Sequence, residues 1–218
     1  LITELNKNDN INFISMQSNG TYFTKGKIDL LEKAGLKRIH LSIHTTNPEQ
    51  AKELMGTNNY DLKKILDIAE YISNSKIELL IAPVWLPGIN DKEIENLIVL
   101  AKKINVKICI QKYEEYKYSR KPKKIKKDSY YKFYKKLEEL EKKYDIKLIY
   151  KNEKLQIEKA KSLNKPIKIG EKINCPILGE GWFESQKIVA NKERNITVNN
   201  CNSNVGDRIN LKILENKN

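Results

Sequence analysis

Cysteine is scarce, acids are outnumbered and no apolar run is long, and each shortage closes off a class of protein. The 218 residues hold three cysteines, Cys109, Cys175 and Cys201, too few and too scattered for a disulfide framework. A reducing cytoplasm is the expected compartment. No stretch approaches the roughly 18 apolar residues of a membrane span, so no membrane partner is expected. No secretory leader is expected either, since Leu1 opens the chain without an initiator Met or a basic segment. That start reads as the interior of a longer protein. No internal repeat exceeds a single β/α unit.

Against 41 Lys and Arg stand 28 Asp and Glu, a formal charge of +13. The excess invites a polyanionic partner, although Lys spread through a Lys/Asn/Ile-rich sequence also has a purely compositional explanation. Apolar residues fall in short dense runs, which excludes a disordered chain despite the charge.

Three of those runs, "IHLSI" at 39–43, "IELLIAPV" at 77–84 and "VKICI" at 106–110, read as buried parallel strands. A weaker strand, "INFISM" at 11–16, precedes them, and "LITEL" at 1–5 reads as the tail of a helix. Helix-period segments separate the strands. Asn47 before Pro48 sets an N-cap ahead of a proline at the first helical position. Asn90 with Glu93 three residues on resembles a capping box, and Gly35 closes the helix over 27–34. This alternation predicts βαβ crossovers and a parallel sheet. The expected fold class is α/β, a partial β/α barrel over 1–113. A second segment, 114–164, holds a basic loop, an amphipathic helix at 129–144 and a strand at 146–150. From 165 to 218 the helix period gives way to short strands and Gly/Asn turns, as in a small antiparallel β-barrel.

The strand at 39–43 has two faces. Ile39, Leu41 and Ile43 point one way, His40, Ser42 and His44 the other. Polar residues near the C-terminal ends of barrel strands are where such folds place their sites. The histidines also have an ordinary reading as hydrogen-bonded interior residues. Loops "QSNG" at 17–20, "PVWLPGIND" at 83–91 and "IQKY" at 110–113 converge on the same end.

Together, "SMQSNGTYFT", "LEKAGLKRIHLSIHTTNPEQAKELMGT", "LLIAPVWLPGINDKEI" and "IQKYEEYKYSRKPK" resemble the radical S-adenosylmethionine superfamily, and within it an archaeal group of iron–sulfur oxidoreductases with a C-terminal β-barrel. The resemblance implies two cofactors, S-adenosylmethionine and a [4Fe–4S] cluster, and a 5′-deoxyadenosyl radical that abstracts hydrogen from an unknown substrate. It implies a reductant such as ferredoxin or flavodoxin. By the same resemblance, Ser42 contacts the ribose or carboxylate region, Gln17 and Asn19 lie beside the cofactor, and His44 falls where many relatives have Asp. Val84, Trp85, Ile110 and Gln111 flank the adenine. The C-x-x-x-C-x-x-C loop that would hold the cluster is not in the sequence, so its ligands are expected upstream of Leu1 and this chain alone is expected to be inactive. Cys109 reads as a core thiol. Cys175 and Cys201 read as two small buried residues or as a pair.

Residues 117–136 hold ten Lys or Arg against one acid, Asp128, interleaved with tyrosines. That composition grips single-stranded nucleic acid, and the tail resembles TRAM/OB-like modules that deliver RNA. Arg120, Lys121, Lys123, Lys124, Lys126 and Lys127 are the candidate contacts, implying a log–log salt slope on the order of −4. The plainer reading is a solvated loop and a helix whose tyrosines, with Tyr130 and Tyr134 at i, i+4, pack on the barrel. Two rival functions stay open: a cluster-less RNA-binding protein, and a β/α enzyme with His40 and His44 as metal ligands.

Overall fold

The computed structural model describes residues 1–119, 121–122, 125, 127–150 and 164–216. They form two compact units: Leu1–Tyr113 with Lys124–Ile157, and Glu114–Lys123 with Glu158–Asn218.

The first unit runs α1 (Ile2–Asn6), β1 (Ser15–Ser18), α2 (Lys25–Lys33), β2 (Arg38–Leu41), α3 (Pro48–Met55), α4 (Leu62–Ser73), β3 (Glu78–Ile81), β4 (Val84–Trp85), α5 (Asp91–Lys103), β5 (Lys107–Ile108), β6 (Gln111–Lys112) and α6 (Tyr130–Tyr144). Strands β1, β2, β3 and β5 pair in that order, all parallel, while β4 and β6 form a second parallel pair. One face of the sheet is apolar. Ile39, Leu41, Ile43, Leu79, Ile81 and Ile108 join Ile28, Ile65, Ile72, Ile94, Leu97 and Ile98 from the helices in one core. Each such fully buried side chain stabilises the fold by about 1.5–3 kcal/mol, so the helices are held by this face rather than by propensity.

Capping follows the sequence in part. Asn47 accepts from the Glu49 and Gln50 amides, and Thr24 and Ser129 cap α2 and α6. Gly35, at φ +95°, follows α2. Several expectations need correction. The first strand is Ser15–Ser18 rather than 11–16. The run at 77–84 breaks at Ala82–Pro83, where Pro83 has no N–H to donate. The crossover from β2 to β3 holds two helices, because Gly56 in the left-handed region ends α3 and Asp61 caps α4. Residues 146–150 are not a strand. Their amides find the Glu141 carboxylate instead, which accepts from Leu148 at 2.7 Å and Ile149 at 2.9 Å. Tyr130 and Tyr134 stack on each other in the open, while Phe133, Leu137 and Leu140 supply the buried face of α6.

The second unit carries β7 (Lys172–Glu180), β8 (Lys187–Asn191), β9 (Arg194–Val198) and β10 (Arg208–Lys212), an antiparallel sheet of order β10-β7-β8-β9. Ile173, Cys175 and Ile177 alternate inward onto Ile167, Val189 and Ile213. No β9–β10 pairing that would close a barrel occurs among the described residues. All three cysteines are free thiols. Among the described residues no helix is long and apolar enough to cross a membrane.

Candidate functional site

The polar face of the parallel sheet is assembled by register. Ser15 lies opposite Arg38, Gln17 opposite His40, Arg38 opposite Glu78, and His40 opposite Leu80. The lower row is an ion network: the Glu78 carboxylate accepts from Arg38 Nε at 2.6 Å and from Lys107 Nζ at 2.6 Å. Burial works against the Glu78 charge, but the bonds from Lys107 and Arg38 outweigh it and hold the carboxyl below its usual range. Above this row, at the strand ends, lie Gln17 and Ser42, with Gln17 Nε2 donating to Ser42 Oγ at 3.4 Å. The contact is long and both groups keep hydrogen-bonding capacity.

Backbone and loops hold that edge in place. The Ser42 amide donates to Ser18 O at 2.8 Å, extending the β1–β2 pairing beyond the strands. In the following turn Asn19 Oδ1 accepts from the Thr21 amide. Gly20 takes φ +75°, and a Cβ there would stand 2.9 Å from Leu41 Cδ1, so any other residue is strained by the turn and crowds the Leu41 side chain. His44 Nδ1 accepts from the Val84 amide at 3.0 Å. Burial lowers the pKa of His44, and burial together with the Arg38 charge lowers that of His40, so both rings favour the neutral form.

Two side chains at the start of α5 fix the loops after β2 and β4. Asn90, 1% exposed, donates to His44 O at 2.9 Å and Val84 O at 3.0 Å and accepts from the Leu86 amide at 2.8 Å. Glu93 Oε2 accepts from Thr45 Oγ1, the Thr46 amide and Thr46 Oγ1 at 2.6–2.9 Å. The expected Asn90–Glu93 capping box is therefore not formed: Asn90 makes no side-chain cap bond. Asn90 and the Oε2 oxygen of Glu93 hold the β2 loop instead. The preference of Asn and Glu for a helix start pointed to the right place and the wrong partners.

Gln17 and Ser42 meet at one edge, Asn19 lies exposed in the turn after β1, and His44 follows two residues after Ser42 with its ring on the Val84 amide. Val84 meets His44 through its amide, and Gln111 pairs with it in register. Trp85 and Ile110 are core residues: the indole lies edge-on to Phe133 at 6.2 Å and donates to Asp91 Oδ1 at 2.8 Å. Asp91 also accepts from the Gly88 amide, which closes the Pro87–Gly88 turn. Cys109 is half-buried, and burial raises its thiol pKa, as suits an unreactive thiol. No group of three or more His, Cys, Asp or Glu suited to a metal ion occurs among the described residues, which leaves His40 and His44 without the companions a metal centre requires. Of the six basic contacts, Arg120, Lys123, Lys124 and Lys126 lie outside the described residues. Lys121 bonds Glu115 at 3.1 Å, and Lys127 is exposed. The Arg38–Glu78–Lys107 network and the Asn90 and Glu93 clamps escaped the sequence reading. Alternation around His40 was the available signal for the first.

Parallel strands with helices on one face and polar ends at one edge define an α/β domain of radical-SAM-like fold. Residues 1–101 match the radical SAM superfamily model. The chain is similar to the uncharacterized protein MJ0103 of Methanocaldococcus jannaschii, 37% identical over 240 residues that cover 99% of this chain and 55% of that protein. It is also similar to the GTP 3′,8-cyclase of Aquifex aeolicus, 28% identical over 113 residues, 52% of this chain and 35% of the cyclase. The chain thus spans about half the length of the first relative and about a third of the second. A solved domain of pyruvate-formate lyase-activating enzyme from Bacteroides vulgatus shares the fold, with TM-score 0.51 at 13% identity over 68% of this chain and 88% of that one.

Proposed function

We propose that this chain supplies the adenosyl-binding side of a radical S-adenosylmethionine enzyme, with S-adenosylmethionine as its cofactor. The observation that carries the reading is the meeting of Gln17 and Ser42 at adjacent strand ends inside the segment that matches the superfamily model. The donor set fits a nucleoside: an amide and a hydroxyl offer uncharged donors and acceptors for ribose hydroxyls, and the neutral His44 adds no charge beside a sulfonium. The cofactor, when bound and reduced, supplies hydrogen-atom abstraction. The chain's own residues bind, orient and keep water from it.

The same test fails for a [4Fe–4S] cluster. Such a cluster needs several thiolates together. Cys109 sits beside β5 in the first unit, while Cys175 and Cys201 belong to the second. These residues do not form a cluster site, and the proposed enzyme takes its cluster ligands from outside the 218 residues.

The test is ligand-observed saturation-transfer NMR on the full chain with S-adenosylmethionine and S-adenosylhomocysteine. Ribose and adenine protons should receive saturation, and Ser42→Ala and Gln17→Ala should each weaken it. Absence of transfer, or equal transfer in both variants, would refute the assignment.

A further inference from the structure

We propose that the second unit carries a stacking platform for single-stranded nucleic acid, built from Tyr116, Trp182 and Phe183. Tyr116 lies edge-on to Trp182 with ring centroids 5.7 Å apart, and tilted against Phe183 at 5.3 Å. None of the three is buried: they are 38%, 71% and 41% exposed. Tyr118, 76% exposed, extends the surface, with the Lys117 ammonium 5.6 Å from its ring centroid.

The platform is built rather than left over. The Lys117 amide donates to Trp182 O at 2.8 Å, tying the two segments together. Gln186, 9% exposed, accepts from the Trp182 amide at 2.9 Å and the Phe183 amide at 3.4 Å through one oxygen and donates to Asn199. A buried polar side chain therefore fixes the very turn that presents two large aromatic rings to water. Exposed apolar surface held this way marks an interaction site.

Charge decides the occupant. Residues 114–123 hold four cations against two acids. Glu180 is shared by Lys117 at 2.6 Å and Lys187 at 2.5 Å, so that trio is net positive. Lys121 pairs with Glu115 at 3.1 Å and reaches Glu184 at 3.9 Å, partly exposed ion pairs that a phosphate can displace. A ligand that presents flat π-faces together with a strand of phosphates meets both features. A duplex hides its base faces and does not.

The protein has two tryptophans, and Trp85 is 7% exposed in the core of the first unit, so emission changes on adding a ligand report on Trp182. Titration of the full chain with oligo(U) and with oligo(dT) should quench that emission saturably, and duplex of the same length should not. By fluorescence anisotropy of labelled strands, Trp182→Ala should weaken binding about tenfold and Trp182→Phe much less, since base stacking on an aromatic is worth that order. Thermal unfolding of both variants should match the parent. Binding of either strand type supports the platform, and the RNA-to-DNA affinity ratio names the source. No quenching, or unchanged affinity in Trp182→Ala, overturns it. So does a Trp182 emission shift that follows protein concentration without oligonucleotide, which would mean a second copy covers the rings. These outcomes are separate from the cofactor test: a chain that fails to bind S-adenosylmethionine still binds the strand if the platform is real.

Discussion

Glu93 offers a sharp test of how the candidate site is held. Its Oε2 accepts from Thr45 Oγ1 at 2.9 Å, the Thr46 amide at 2.6 Å and Thr46 Oγ1 at 2.7 Å, and its Oε1 accepts from Asn96 at 2.8 Å. Hydrogen bonds to an ionised acceptor contribute about 1.5–3 kcal/mol each. Asn96 and Glu93 are each only half-buried, so their shared bond can be replaced by water, and about two bonds count in full. Glu93→Ala should then destabilise the first unit by about 3 kcal/mol. Glu93→Gln keeps the shape but offers a neutral oxygen, roughly half as strong, and should cost about 1.5 kcal/mol.

The pH dependence separates charge from shape. Burial opposes the Glu93 charge, but the bonds from Thr46, Thr45 and Asn96 outweigh it, so the folded carboxyl sits below 4.5. Its contribution is full above 4.5 and is lost as pH falls through the depressed folded value. The gap between parent and Glu93→Gln should accordingly close in acid. Urea denaturation in a Trp182→Phe background leaves Trp85 as the sole indole, hydrogen-bonded to Asp91 at the start of α5. A Glu93→Gln variant within about 0.5 kcal/mol of the parent at neutral pH, or a gap that persists unchanged in acid, would refute the reasoning.

Asn90→Ala should cost about 3 kcal/mol in the same assay, because it strands the Leu86 amide and removes the donor to two carbonyls in a buried loop. His44 titrates below 6.5 because burial disfavours its cation. Its contribution is full above pH 6.5 and lost as pH falls through the folded value, where protonation removes the acceptor of the Val84 amide; NMR titration of the ring protons should show the low pKa, and His44→Gln should flatten the stability slope just below pH 6.5. Gly20→Ala should cost about 2 kcal/mol by thermal or urea unfolding, since a Cβ meets both a left-handed φ and the Leu41 side chain.

The parallel sheet was legible because alternation and crossover length are local signals. Ile39, Leu41 and Ile43 announced a buried face, and Asn47–Pro48 announced a helix start. What escaped the sequence were partnerships across distance. "IKLIY" at 146–150 has the composition of a strand, yet a strand needs a neighbour, and the Glu141 carboxylate satisfies the Leu148 and Ile149 amides instead. Asn90 and Glu93 have the spacing of a capping box, yet the Thr45–Thr46 turn, more than forty residues earlier, offers Glu93 three donors. Local propensity proposes these bonds and the fold reassigns them. Trp85 shows the same reach across distance: its indole packs in the core edge-on to Phe133 of α6, almost fifty residues later.

The reassignment has a functional logic. A site at strand ends lies on loops, and loops are the parts of a fold least held by the core. Here the start of α5 reaches back across the sheet: Asn90 fixes the His44 carbonyl and Glu93 the two threonines after it. The β2 end is thereby braced by the helix that begins after a later strand. Gln17 and Ser42 can keep a long, undemanding contact because their positions are set by the backbone and by this brace, not by each other. That leaves their polar atoms available to a ligand without a structural penalty. If the brace is what orders the edge, Glu93→Ala should weaken adenosyl saturation transfer although Glu93 lies behind the β2 loop and is no part of the proposed contact set. The same substitution should leave oligonucleotide quenching of Trp182 untouched.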